Sequence, residues 1–188
     1  MIDDPCSVCG LPRPVRGCPR NAHWHVDTVF APFEYSVPLA HRIHALKFNG
    51  ARKLGRALSL LMADLVDSAV AEVDALIAVP LHERRLRHRG YNQAMEIARS
   101  LSAELGLPLI TRGVERCRVT EPQIALGAPR RRENLQHAFK TEREFGGYRL
   151  AVVDDVITTG ATVNSLAQSL SAAGAETIDA WSVARTPI

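Results

Sequence analysis

Leu150-Ala151-Val152-Val153-Asp154-Asp155-Val156-Ile157-Thr158-Thr159-Gly160-Ala161-Thr162 passes from an unbroken apolar run through two acids into a hydroxyl-rich turn. Four successive apolar residues suit a strand covered on both faces, as in the parallel sheet of an α/β protein. Ligands of such sheets bind at the carboxyl ends of the strands. Gly160 and Ala161 let the backbone approach a ligand closely, and Thr158, Thr159 and Thr162 supply hydroxyls. The helix that follows offers unspent N–H groups to an anion. Asp154 and Asp155 are acceptors for two neighbouring sugar hydroxyls. The spacing fits a ribose 5-phosphate. A plainer reading leaves the acids solvated and the threonines capping a helix. A lone T-T-G would not decide between the two, but the whole combination favours the ligand seat.

Working outward, a second polar segment follows another core strand: Val79-Pro80-Leu81-His82-Glu83-Arg84-Arg85-Leu86-Arg87-His88-Arg89-Gly90-Tyr91-Asn92-Gln93-Ala94. In a parallel sheet this basic loop shares an edge with Asp154 and Asp155. Its guanidinium groups are then placed to grip a phosphate with paired hydrogen bonds. His82, Arg84, Arg85 and Arg89 are the candidates to receive pyrophosphate; a solvated basic face is the alternative for any single one. A third region, Arg112 to Phe139, is long, polar and poorly periodic, as lids often are. Arg116, Arg118, Thr120, Gln123 and the block Arg130-Arg131-Arg132 lie in it, with Arg118 and Gln123 as the flexible-lid candidates. A reactive sugar centre with departing pyrophosphate calls for a cover that excludes water.

The first twenty-seven residues differ in character. Cys6-Ser7-Val8-Cys9, Cys18, His23 and His25 resemble a metal knuckle, because C-x2-C places two thiolates on one turn and so short a segment has little core of its own. Cys6, Cys9, Cys18 and His23 form the candidate zinc set, with His25 an alternative fourth ligand. Asn21 stands where a second C-x2-C would need its fourth cysteine. A vestigial site or a redox dithiol are the other readings, and a disulfide is disfavoured without an export signal. Cys117 reads as incidental.

The chain of 188 residues, 46% of them hydrophobic, can bury one core, so the expected division is a knuckle over 1–27 and a main domain over 28–188. No apolar run is long enough for a membrane span, which makes the cytoplasm the default location. A net charge of +3 excludes a general polycation. Strand character at Val29 to Tyr35, interrupted by Pro32, predicts an edge strand. A helix spans Pro38 to Phe48, and Leu54, Leu58, Leu61, Met62, Leu65 and Val66 repeat as one buried helical face over about five turns. Asp74 to Val79 is a buried strand, Asn92 to Leu105 a helix stopped by Gly106, and Pro108 to Ile110 a further strand. A helix from Val163 ends at Gly174, and Thr177 to Ala184 is the closing strand. Strands alternating with helices imply right-handed crossovers and a mostly parallel sheet.

V-V-D-D-V-I-T-T-G-A-T closely resembles the phosphoribosyl-pyrophosphate (PRPP) motif of type I phosphoribosyltransferases. V-P-L-H with R-x3-R-G-Y-N-Q-A, R-x-T-x-x-Q, R-x-x-N-x-x-x-A-F, the cysteine knuckle and the closing Val183-Ala184-Arg185 together resemble the ComF (competence protein F, or GntX-like) family over nearly the whole chain. The resemblance implies a type I phosphoribosyltransferase-like fold. It implies that Asp154 and Asp155 hold the ribose hydroxyls while Thr158, Thr159, Gly160, Ala161 and Thr162 wrap the 5′-phosphate. It also implies a link to single-stranded DNA uptake in transformable bacteria, with a helicase as partner. Two functions follow: transfer of phosphoribosyl to a nitrogenous acceptor, with Mg2+ arriving on PRPP, or a PRPP-regulated component of DNA uptake whose arginines track phosphates beside Tyr91 or Trp24. A sensor of duplex DNA or RNA is less well supported, since no recognition helix is legible.

Overall fold

Six strands, every pair of them parallel, form the central sheet of the computed structural model, which describes residues 1–11, 18, 24–48, 52–66, 72–117 and 138–187. In chain order the elements are β1 (Val29–Phe30), β2 (Phe33–Glu34), α1 (Val37–Phe48), α2 (Arg52–Ala63), β3 (Ala75–Ala78), α3 (Glu83–Arg89), α4 (Gln93–Leu105), β4 (Leu109–Ile110), β5 (Val114–Arg116), β6 (Phe139–Thr141), β7 (Arg149–Ile157), α5 (Ala161–Ala172) and β8 (Thr177–Arg185). The sheet order is β1-β8-β7-β3-β4, with β2 also on β8, and β5 pairs antiparallel with β6 outside it. As expected from Pro32, β1 and β2 lie on either side of it at the sheet edge.

From β3 the chain steps through α4 to β4 on one side. It then returns to β7 on the other side of β3 and continues away to β8. Because parallel crossovers keep one hand, these opposite steps put α4 and α5 on opposite faces of the sheet. The order reverses between β3 and β7, and that crevice is where an open α/β sheet binds its ligand. Ala75–Ala78 and Leu150–Val153 are buried throughout, consistent with cover on both faces. Asp74 secures the opposite end: its carboxylate accepts from the Arg149 backbone N–H (2.9 Å) and from the Arg149 guanidinium (2.8 Å).

Helix α4 begins at Asn92, whose side chain accepts from Ala94 N–H (3.0 Å), and stops at Gly106 in the left-handed region (φ 69°). It buries Ile97, Ala98 and Leu101 against the sheet and α2. Ser59 of α2 donates to the carbonyls of Gly55 (2.7 Å) and Ile97 (3.1 Å), so its hydroxyl is spent where α2 and α4 touch. Two expectations are corrected. Helix α2 spans only Arg52–Ala63, and Leu61 is 50% exposed while Leu58 and Met62 are buried. The buried face is centred on Gly55, Leu58, Ser59 and Met62, with Leu61 at its margin, and Leu65 and Val66 lie beyond the helix end. Residues 83–89, read as loop, form α3, because His82 caps its start (Nδ1 to Arg84 N–H, 3.2 Å) and Gly90 (φ 77°) closes it. Among the described residues no helix is long and apolar enough to cross a membrane.

Ile97→Ala should lower the unfolding free energy by about 2–5 kcal/mol, whereas Leu61→Ala should change it by less than about 0.5 kcal/mol; urea denaturation of the two variants measures the contrast.

Candidate functional site

Strand β7 outruns β3. Its last partners there are Ala78 and Val153, and Val79 N–H donates to the Val153 carbonyl (2.9 Å), so Asp154 to Ile157 project beyond β3 while still paired with β8. Each acid turns along the strand toward its carboxyl end. Asp154 Oδ1 accepts from Asp155 N–H (2.8 Å) and Asp155 Oδ1 from Val156 N–H (2.9 Å). Asp155 is only 6% exposed and Asp154 half-buried, so the pair is less solvated than two acids at a strand end need be.

Beyond them, Thr158 and Thr159 are exposed and Thr159 Oγ1 accepts from Ala161 N–H (3.3 Å). Gly160 (φ 80°) is the cap residue of α5 and has no side chain with which to cap it. With Ala161 N–H already bonded to Thr159 and no cap side chain at Gly160, the amides that follow Ala161 in the first turn of α5 are the ones directed toward a ligand anion. Gly160 is required twice over. Its φ disfavours any side chain, and a Cβ there would lie 2.7 Å from Cη2 of Trp24.

Across the crevice, α3 sorts the arginines of the second motif. Arg84, Arg87 and His88 are exposed, and Arg87 pairs with Glu83 at 3.3 Å in water. Arg85 and Arg89, one turn apart, are half-buried, with Arg89 donating to Gln93 Oε1 (3.2 Å). Burial pulls the Arg85 guanidinium below the ordinary arginine range, and the neighbouring Arg89 charge adds to it. Arg116 of β5 joins them, its guanidinium 5.4 Å from the centre of the Phe139 ring. Burial lowers Arg116 as well; the Arg85 charge pushes the same way and Asp154 opposes. Arg85, Arg89 and Arg116 are all half-buried, and Arg116 lies within electrostatic reach of both Arg85 and Asp154. Like charges are brought together this way where an anion is to be held. Of the four pyrophosphate candidates, Arg85 and Arg89 are half-buried on one side of α3, Arg84 is exposed, and His82 accepts at Nδ1 from Arg84 N–H as the α3 cap. Arg118 and Gln123 lie outside the described residues. Their region begins and ends as the β5–β6 pair.

Near the other side of the phosphate turn, the thiol sulfurs of Cys6, Cys9 and Cys18 lie within 4.8 Å of one another. Tetrahedral zinc with sulfurs at about 2.3 Å requires separations of just under 4 Å, so the three thiols fit a metal. Gly10 N–H donates to the Cys6 carbonyl (2.7 Å), closing the turn. Burial pushes the Cys9 thiol up to about 11; burial also acts to raise Cys6, but backbone hydrogen bonds from Val8 and Cys9 outweigh it and lower that thiol. His23 and Asn21 lie outside the described residues.

Sequence reasoning placed Arg116 with the lid and left Trp24 and Arg185 out of the candidate turn at Thr158–Thr162. Trp24 reaches Gly160 from more than a hundred residues away, and a charged residue in an apolar strand, 1% exposed at Arg185, was the one available signal.

No family model matches the chain. It is 35% identical to DNA utilization protein YhgH of Escherichia coli O157:H7, over 96% of this chain and 84% of that protein. It is 33% identical to the Salmonella typhi protein of the same name over the same shares. It is 38% identical to competence protein F of Haemophilus influenzae, over 80% of this chain and 69% of that one. Among solved structures, a purine phosphoribosyltransferase from Pyrococcus horikoshii aligns with a TM-score of 0.43 at 18% identity, over 70% of this chain and 81% of that one.

Gly160→Ala should destabilise the fold by about 1–3 kcal/mol. Adding Trp24→Ala should recover only the steric part, leaving the backbone cost, and a double-mutant cycle by thermal denaturation separates the two.

Proposed function

The chain belongs to the family of competence protein F and DNA utilization protein YhgH, and within it we propose that the β3–β7 crevice binds PRPP with Mg2+ and transfers its phosphoribosyl group to a nitrogenous acceptor. The observation that carries this reading is the projection of Asp154 and Asp155 beyond the end of β3 at the switch point, beside a turn opened by Gly160 and next to a connection bearing the half-buried Arg85 and Arg89. In a type I phosphoribosyltransferase-like arrangement, Thr158, Thr159, Gly160, Ala161 and Thr162 hold the 5′-phosphate and Asp154 and Asp155 take the ribose hydroxyls. The C1–oxygen bond breaks and pyrophosphate leaves with its electrons. The acceptor nitrogen forms the new bond to C1, and its proton passes to solvent. Arg85, Arg89 and Arg116 offset the charge that grows on the departing group. Mg2+ would arrive with PRPP and offset diphosphate charge, with Asp154 and Asp155 the acidic side chains available beside it.

Residues 1–27 act in this reading as a zinc knuckle on a 28–188 domain, with Cys6, Cys9 and Cys18 as thiolate ligands and His23 completing the set. The protein works in the cytoplasm. A second reading, favoured by the relatives' names, has it serve DNA uptake with single-stranded DNA and a helicase as partners. The exposed basic face of α3, with Arg84, Arg87 and His88, supports a strand contact separate from the crevice.

Calorimetric titration with PRPP and Mg2+ tests the first reading. Arg116→Ala and Asp154→Asn should each weaken binding at least about tenfold, since each removes a charged partner from a half-buried site. Asp154 is the cleaner acid to change, because Asp155 is the more deeply buried of the two. Wild-type protein that ignores PRPP overturns the proposal. For the second reading, an Arg84→Ala/Arg87→Ala protein should bind oligothymidylate more weakly and with a salt slope reduced by roughly 0.7 per lost phosphate contact, without change in PRPP affinity.

A further inference from the structure

Three contacts join the cysteine segment to the phosphate turn. Arg185, at the end of β8, is 1% exposed; its Nε donates to the Cys9 carbonyl (2.8 Å) and its Nη1 to the Ile157 carbonyl (2.9 Å). One planar cation therefore spans the turn that bears a thiol and the last residue of β7 before Thr158. Trp24 packs its ring edge over Gly160. The backbone N–H of His25 donates to Asn164 Oδ1 (2.6 Å), and Asn164 N–H donates in turn to the Gly160 carbonyl (2.9 Å). The first contact is made at Cys9 itself and the other two at Trp24 and His25, so Cys18 lies between the anchors in sequence.

We infer that Arg185 is a positioning residue for the phosphate turn and that the cysteine cluster, when it holds a metal, fixes that turn through Arg185, Trp24 and His25. The inference rests on the crevice being the PRPP site and adds what controls it. A guanidinium held away from water keeps its position only while its acceptors do. The Cys9 carbonyl is one of those acceptors, and it belongs to a turn whose cross-link is the cluster itself. Without a metal the Cys6–Gly10 turn is held by hydrogen bonds such as that from Gly10 N–H to the Cys6 carbonyl, whereas a metal on Cys6, Cys9 and Cys18 would add a cross-link between that turn and position 18. Arg185 also suits the filled cluster electrostatically, since three thiolates on a divalent ion leave a net negative charge beside a buried cation. The turn whose amides must be preset for an anion is thereby braced from outside the sheet, and bracing before binding raises affinity without a new ligand contact.

Hydrogen exchange of the full chain, zinc-loaded and after zinc removal by a chelator, reads the coupling without any ligand. Residues 158–164 should exchange about tenfold faster once zinc is removed, and zinc-loaded Arg185→Met should reproduce that acceleration. Arg185→Lys, which keeps the charge but cannot span both carbonyls, should behave as Arg185→Met does. PRPP affinity, titrated in parallel, should fall by a similar factor in the chelated protein. Unchanged exchange at 158–164 after chelation overturns the inference, whatever residues 6–11 do. Should Arg185→Met fail to fold, the wild-type comparison still decides. Failure of the untreated protein to bind PRPP would instead sink the reading of the crevice, and exchange at 158–164 would still decide the coupling.

Discussion

The site depends on an unequal pairing: β7 is held by β8 along almost its whole length but by β3 only as far as Val153. Had β3 run as far as Ile157, its backbone would occupy the space beside Asp154 and Asp155, and the acids would face another strand. Ending β3 at Ala78 leaves that space to the connection through Pro80 and α3. Proline suits the stop, because it offers no N–H to continue a ladder. Asn92 then holds the connection, donating to the Val79 carbonyl (2.9 Å) while its own oxygen caps α4. Buried Tyr91 donates from its hydroxyl to the Leu46 carbonyl of α1. The arginines of α3 therefore project from a segment held at both ends.

The sheet was legible in the residues to a large degree. The apolar runs at Leu150–Val153 and Ala75–Val79 are long enough to identify parallel strands, and Asn92 and Gly106 bracket α4 as a cap and a stop should. The candidate phosphate turn was equally open to reading, since Gly160 acts through its own backbone and the helix behind it. What could not be read is what depends on distance in space. The leucines of α2 were assigned to one face, but the face that packs on α4 is rotated toward the small residues Gly55 and Ser59 with Leu58 and Met62, which leaves Leu61 at its exposed margin. In Glu83–Arg89, charge concealed a helix that His82 and Gly90 delimit. Which arginines of that run face the acids depends on the helical turn, and Arg85 and Arg89 share a face only once the helix exists.

The expected arrangement of a mostly parallel sheet flanked by helices, with a cysteine cluster at the amino end, is the one observed. The cluster is better integrated than its composition suggests. Ile2 N–H donates to the Pro32 carbonyl (2.9 Å) and Val29 N–H to the Ser7 carbonyl (2.6 Å), so the segment rests on the β1–β8 edge. Gly10 belongs to the same contact, because a Cβ there would lie 2.8 Å from Val29.

Strand β8 comes last in the sheet's chain order, yet it pairs with β1 and β2 on one side and β7 on the other. During translation β1 and β2 therefore emerge from the ribosome before the strand they pair with and wait until β8 has been made. The Arg185–Cys9 hydrogen bond, across 176 positions of sequence, is among the last links that can form. A nascent chain stalled before β8 presents unpaired strand edges and an unbraced thiol cluster, which makes it a natural client for chaperones.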